Sequence, residues 1–295
     1  MIFNKEYLEK NDQPILEQIE QQVKGGPPLI AADERTRKMY DQALLSGTPL
    51  SESVEISKQF FSNVAVSILT VENAKPHTII LYVHGGGYLV GSDECYVNFV
   101  SQIVAANGIN AVIPDYSLSP ENKFPVAFNE LKEIYNDLHQ HYSRVIVMGD
   151  SAGGGLALAL TQEVKEKPVA TIVFSPWTDL TFSGDSYDYN KDKDFMITPE
   201  IINKGKIADL YTGENSADDS RISPLFGREK NTIPTLIHVG KNEALLDDSI
   251  AYAHEKDNVR LYIWNELFHI FPLFGMLKSS QQALLLTNEF INFYG

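Results

Sequence analysis

The residue types that could do chemistry cluster in three places. The first is Gly149-Asp150-Ser151-Ala152-Gly153, a G-x-S-x-G pattern. An apolar run, Val145-Ile146-Val147-Met148, precedes it, and a helical pattern follows. Strand, tight turn and helix together describe a nucleophile elbow, which lifts a serine hydroxyl out at the end of a sheet. The glycines suit a turn where neighbouring backbone comes close. The helix N-terminus behind the serine favours developing negative charge. The second place is His84-Gly85-Gly86-Gly87, directly after the apolar run Ile79–Val83. Acyl transfer needs backbone N–H groups aimed at an oxyanion, and a glycine loop brings backbone that near. A phosphate cradle is excluded, because the spacing is neither G-x-G-x-x-G nor a P-loop. His84 reads as packing under the loop.

A serine nucleophile needs a base and an orienting carboxylate. With a nucleophile elbow the chain order is serine, acid, histidine. Of seven histidines, His77, His84, His139 and His141 precede the serine. His238 sits in a core strand, His254 late in a helix. His269 falls beyond the last strand, Val259–Trp264, and is the expected base. The acid belongs in the loop after Thr235–Val239, which reads Gly240-Lys241-Asn242-Glu243-Ala244-Leu245-Leu246-Asp247-Asp248. Glu243 lies in the loop proper, where a carboxylate can accept the imidazole N–H. Asp247 is the alternative, although it and Asp248 fall where an acidic first turn ordinarily stabilises a helix.

Elements must position these groups. Strands are expected at Val64–Thr70, Thr78–Val83, Asn110–Ile113, Arg144–Met148, Ala170–Phe174, Thr235–Val239 and Val259–Trp264. Short Val/Ile-rich runs mark strands buried on both faces of a parallel sheet. Helices are expected at 93–107 (capped by Ser92 or Asp93 and stopped by Gly108), 126–140, 152–166 (ended by Pro168), 245–256 and 280–293. Alternation of the two predicts an α/β fold with helices on both faces of a mostly parallel sheet. Residues 1–45 read as helical, with a break at Gly25-Gly26-Pro27-Pro28. Residues 177–225 interrupt the rhythm as a polar insertion above the sheet. They hold ten acidic against five basic residues, and Asp185–Asp194 reads as a solvated face. His139-x-His141 lacks further ligands nearby, so neither a metal nor any cofactor is expected.

Composition narrows the function classes. The 295 residues are 43% hydrophobic, enough for a large core, and carry a formal net charge of −15. That charge repels nucleic acid and anionic membranes, so neither is an expected partner. The single cysteine, Cys95, excludes an internal disulfide framework. No apolar run reaches the ~18–20 residues of a membrane helix, and Met1–Glu6 lacks the apolar core of a signal peptide. A cytoplasmic protein is expected.

Taken together, the motifs resemble the hormone-sensitive-lipase-like family of α/β-hydrolase fold esterases. The matching pieces are His84–Gly87 with Tyr88 and Gly91-Ser92, Asp115–Glu121 with Phe124-Pro125, Gly149–Gly153, Ser223-Pro224-Leu225, Leu246-Asp247-Asp248 and Phe268–Phe271. They span residues 60–295. The resemblance implies Ser151 as nucleophile, His269 as base and Glu243 as acid. Gly86, Gly87 and Ala152 would supply the oxyanion hole, with Gly85 shaping its loop. Relatives often carry an Asp-Pro-Leu run where this chain has Glu243-Ala244-Leu245, and Arg where it has Ser117. The resemblance further implies one domain over 1–295, with a helical cap from about 1–45 and 177–225. A homodimer formed through the sheet edge at Val259–Trp264 is also implied. Tyr88, Trp177 and Phe271 are candidate pocket walls. The activity expected is hydrolysis of short-chain carboxylic esters, with small acylated molecules as alternative substrates for a deacetylase or amidase. A catalytically silent receptor on the same fold is the reading of another class.

Overall fold

In a computed structural model of the chain, residues 1–5, 8–24, 33–198, 206–228 and 232–295 are described. The Gly25–Pro28 break lies outside them. Among the described residues nine strands form one sheet: β1 (Ile2–Lys5), β2 (Val54–Phe61), β3 (Val64–Val71), β4 (Thr78–Val83), β5 (Asn110–Pro114), β6 (Arg144–Asp150), β7 (Ala170–Phe174), β8 (Thr235–Gly240) and β9 (Val259–Trp264). Their order is β1-β9-β8-β7-β6-β4-β5-β3-β2. Among these described strands only the β2–β3 and β3–β5 pairings are antiparallel. Every residue of β4, β7 and β8 is buried, as expected of central parallel strands covered on both faces.

Helices α1 (Gln13–Lys24), α2 (Glu34–Gly47), α3 (Val97–Asn107), α4 (Val126–His141) and α5 (Ser151–Glu163) come first. After them come α6 (Ser186–Tyr189), α7 (Lys206–Thr212), α8 (Leu246–Glu255) and α9 (Lys278–Tyr294). No helix among the described residues is long and apolar enough to cross a membrane.

Four expectations are corrected. Helix α3 starts at Val97, without a side-chain cap. The proposed caps are engaged elsewhere: Asp93 accepts from Lys58 Nζ (2.6 Å) and Ser67 Oγ (2.9 Å), and the Ser92 hydroxyl donates to Asp41 (3.0 Å). Helix α5 ends at Glu163, before Pro168, and Lys167 Nζ satisfies the freed carbonyls of Thr161 and Gln162 (3.1 and 2.7 Å). The segment Ile2–Lys5 is a strand, not helix. It pairs in parallel with β9, with Met1 NH₃⁺ donating to Val259 O at 2.7 Å. Strand β9 is therefore covered, and β1 and β2 are the outer strands of the sheet. A dimer formed through a bare β9 does not fit this topology.

Strand β2 has no counterpart in the sequence reading. Only Val54 among its eight residues is buried, so it lacks the apolar run by which the inner strands are recognised. It exists because β3 offers eight in-register partners. The Ser117 position also has its own solution: Glu130 accepts from the Ser117 amide (2.8 Å) and hydroxyl (2.6 Å). Arg37 of α2 donates to the carbonyls of Leu89 and Ser119 and pairs with Glu121 at 2.8 Å, tying α2 to the loops beside β4.

Helix α5 crosses the end of β4 so closely that a Cβ at Gly153 would lie 2.2 Å from His84 O and 2.3 Å from Val83 O. Both are main-chain atoms that cannot rotate away. Gly153→Ala should therefore destabilise the fold by about 3 kcal/mol, the upper part of the overpacking range. Urea unfolding checks this, and an unchanged midpoint would show that the crossing is not tight.

Candidate active site

Ser151 stands at the junction of β6 and α5, as the first residue of the helix, with φ +51°, the left-handed region that a side chain rarely occupies. The turn is held by Trp177 N donating to Ser151 O at 2.9 Å. The Ser151 Oγ lies 2.9 Å from His269 Nε2, and His269 Nδ1 lies 3.0 Å from Glu243 Oε2. All three residues are buried. The other Glu243 oxygen, Oε1, accepts from Ser175 Oγ (2.7 Å) and Gly240 N (2.5 Å). Ser175 Oγ in turn accepts from Ile270 N at 3.0 Å. One hydroxyl thus joins the loops after β7, β8 and β9.

Burial alone would lower the His269 pKa. The hydrogen bond and charge of Glu243, with Asp194 and Asp150 further away, outweigh burial and raise it above the ordinary histidine value. Of the competing acids, Asp247 faces away: it accepts from Ser186 N (2.8 Å) and Tyr189 OH (2.8 Å). Asp248 is buried, accepting from the amides of Thr178 and Asp179 and from Tyr187 OH. Burial, with Asp179 nearby, pushes it up to about 8.

Beside Ser151 runs the loop His84–Gly87. Gly86 takes φ +115°, and a Cβ there would meet Val90 O at 2.1 Å, so the loop tolerates only glycine at that position. Gly86 and Gly87 line the cavity at Ser151. Ala152 follows Ser151 at the start of α5, where N–H groups have no intrahelical acceptor. Gly85 differs. Its N–H points inward, to Asp150 Oδ1 and Tyr96 Oη (both 3.1 Å), so it shapes the loop and does not donate into the cavity. Asp150 is fully buried and also accepts from Tyr82 OH and Tyr96 OH (both 2.9 Å). Burial pushes its pKa up to about 6. Tyr96 spends its proton on Asp150, so the Tyr40 hydroxyl donates to Tyr96 at 3.2 Å and links α2 to the loop.

The two histidines read as structural are so placed. His84 stacks on Tyr116 at 4.1 Å, and burial lowers its pKa to about 4. His238 accepts from Trp264 Nε1 at 3.1 Å, and burial lowers it to about 3.

The cavity at Ser151 offers about 40 Å³ and has almost wholly apolar walls. Of the three expected wall residues only Trp177 lines it. Tyr88 lies behind, stacked on Tyr211 at 3.7 Å and 5.8 Å from Trp177. Phe271 is fully buried against Trp264, and its neighbour Ile270 faces the cavity instead. Leu245 of the loop after β8 lines it too, as do Tyr40, Phe182, Tyr187, Met196, Ile197 and Ile207. All but Leu245 come from α2 and from the 177–225 insertion, where sequence offers no period to say which residues point down.

The acidic stretch is also corrected. Asp185, Asp188 and Asp192 are exposed, but Asp194 is buried. Sequence reasoning missed Ser175 and Asp194. Ser175 had one available signal, its place just past the C-terminal end of a core strand, where sites in parallel sheets gather.

Known proteins resemble this chain in sequence and in fold. A family model described as the alpha/beta hydrolase fold matches residues 80–273. An esterase of Acinetobacter venetianus is 29% identical over 224 residues, 72% of this chain and 74% of that one. An acetyl-hydrolase of Streptomyces hygroscopicus shows the same identity and coverage. Among solved structures, an esterase from the bacterial hormone-sensitive lipase family superposes with a TM-score of 0.88 at 28% identity, over 96% of this chain and 98% of that one. A hormone-sensitive lipase from a metagenome library gives 0.88 at 28%, over 97% and 98%. With the family model spanning most of the sheet and these likenesses running nearly end to end, the chain belongs to the alpha/beta hydrolase fold family, among its hormone-sensitive-lipase-like carboxylic ester hydrolases.

Proposed function

We propose that the chain is a serine carboxylesterase acting on short-chain esters through an acyl-enzyme. The observation that carries the reading is the line Ser151 Oγ–His269 Nε2, His269 Nδ1–Glu243 Oε2, at 2.9 and 3.0 Å, opening on a cavity lined by Gly86 and Gly87. Ser151 Oγ attacks the ester carbonyl while His269 Nε2 takes its proton. The N–H groups of Gly86, Gly87 and Ala152 hold the oxyanion, and Glu243 stabilises the imidazolium. His269 then protonates the leaving alcohol as the C–O bond breaks. Water, giving its proton to His269, attacks the acyl-enzyme; the bond from the acyl carbon to Ser151 Oγ then breaks, His269 returns the proton to Oγ, and the acid leaves. Residues 177–225 and the N-terminal helices act as the cap that excludes water.

Chain length follows from room. At about 40 Å³ the cavity is small and its walls are almost wholly apolar, which favours a short acyl chain. Each buried acyl methylene adds about 0.8 kcal/mol until the space is filled. We expect kcat/KM on p-nitrophenyl esters to peak between acetate and butyrate. A value still climbing at palmitate, or activation at a triglyceride surface, would replace this reading with that of a true lipase. An acetyl group fits the same space, and a relative named acetyl-hydrolase favours acetylated small molecules as a second substrate class. Labelling by a fluorophosphonate separates an esterase of either kind from a silent receptor, since only an activated serine reacts.

Ser151→Ala should lower kcat on the order of 10⁶-fold with the fold intact by circular dichroism. Retention of a tenth of the activity would rule the mechanism out. Glu243→Gln should cost about 10⁴-fold in kcat, as loss of the orienting carboxylate does in other triads. Equal loss on Asp247→Asn with Glu243→Gln active would move the acid to Asp247.

The base must be neutral to accept a proton, and its pKa is raised. The acid limb of kcat/KM should therefore lie above the ordinary histidine value of about 6.5, with activity lost as pH falls through it. A flat profile from pH 5 to 8, with chemistry rate-limiting, speaks against His269.

A further inference from the structure

Ser186, Asn190 and Asp194 recur every fourth residue in the insertion. The amides of Asn190 and Asp194 bond back to the carbonyls of Ser186 and Asn190 (3.1 and 2.9 Å), so the three share one face. All three are buried, while Asp185 just before them and Asp188 and Asp192 between them are exposed. That face meets the loop carrying Glu243. Asn190 Nδ2 donates to Glu243 O (2.8 Å) and to Lys241 O (2.9 Å). Asp194 Oδ2 accepts from Ala244 N at 2.8 Å. Glu243 O and Ala244 N belong to the same peptide group, which is therefore gripped at its carbonyl and at its N–H by side chains one turn apart. Ser186 Oγ holds the next carbonyl, that of Ala244, at 2.6 Å.

We propose that Asn190 and Asp194 are positioning residues, a clamp on the Glu243–Ala244 peptide that aims the Glu243 carboxylate at His269. The proposal rests on reading Glu243 as the triad acid. The glutamate has three side-chain torsions, and its far end is pinned at Oε1 by Ser175 and Gly240. Pinning the far end fixes direction only if the main chain at the near end cannot rotate. No regular element supplies that, because the loop between β8 and α8 has left the sheet and not yet entered the helix. The other Asp194 oxygen, Oδ1, accepts from Met196 N and Ile197 N (both 2.9 Å). Both of these residues line the cavity, so the same carboxylate joins the wall of the substrate space to the acid loop.

The test compares Asn190→Ala and Asp194→Asn, each alone, and Asn190→Ala combined with Glu243→Gln, in ester hydrolysis from pH 5 to 9. A misplacement on the order of 1 Å costs about 10²-fold, so each single variant should lose about 10- to 100-fold in kcat with KM within about threefold. Asn190→Ala changes no charge. Its acid limb should nonetheless move to lower pH, because His269 loses part of its support from Glu243 while Asp194 and Asp150 stay in place. In the Glu243→Gln background Asn190→Ala, which leaves the Asp194 charge near His269 in place, should not cost more than about threefold further, since the group it aims is already gone. Asp192→Asn, on the exposed face, serves as the unchanged control. Losses that multiply with Glu243→Gln, an unmoved acid limb in Asn190→Ala, or kcat within about twofold of the parent would each overturn the clamp. Full activity of Glu243→Gln alone would overturn the triad reading and the clamp with it. Should Asn190→Ala not fold, Asn190→Ser, a smaller change, carries the same arms.

Discussion

Everything at this site hangs on the distance between helix α5 and the end of strand β4. At Gly153 the helix backbone comes so near Val83 O and His84 O that no side chain fits between them. That approach sets where α5 begins, and so where its unpaired N–H groups point. It also leaves the chain one residue in which to turn from β6 into α5, and Ser151 takes that turn at φ +51°. The strain is local and is held by packing around it. The same approach carries the glycine loop after β4 to the side of Ser151.

A second theme is the use of buried carboxylates as loop anchors. Asp150 gathers Gly85, Tyr82 and Tyr96; Asp194 gathers Ala244, Met196 and Ile197; Asp248 gathers Thr178, Asp179 and Tyr187. Loops at the end of a parallel sheet have left the ladder that satisfied their amides, and burial makes an unsatisfied amide costly. A carboxylate offers two oxygens with several lone pairs, and one such group replaces several missing backbone partners. The burial cost is visible in their raised pKa values. A chain of net charge −15 thus spends part of its acidic excess inside, as structure.

The parts of the molecule legible in sequence are those with a local cause. The apolar runs of β4 and β6–β8 are buried on both faces and read as strands without help from their neighbours. The positions of Ser151 and His269 follow from motif and chain order, and Glu243 from its place in a loop after a strand. What escaped has a non-local cause. Strands β1 and β2 are half-exposed outer strands whose hydrogen bonds come from β9 and β3. Helix α3 begins at Val97, beyond Asp93, whose carboxylate is held instead by Lys58 of β2 and Ser67 of β3. Phe271 and Ile270 are adjacent apolar residues in a short loop, and nothing in their order says that the isoleucine faces the cavity.

By itself, the amino-acid sequence determined the fold class, the candidate set Ser151, Glu243 and His269, and the need for glycine where backbones meet. These are consequences of period, of side-chain chemistry and of missing Cβ atoms, all properties of residues near one another in the chain. Only the tertiary structure decided that Asp194 is buried and bonded to Ala244 while Asp192 is exposed. It alone brought Ser175 between three loops and assigned the cavity walls to Tyr40, Met196 and Ile270. Those outcomes depend on which surfaces meet when the segment after β7 packs against the loop after β8. An aspartate in a polar stretch has the same local sequence whether it will face water or a peptide N–H fifty residues away.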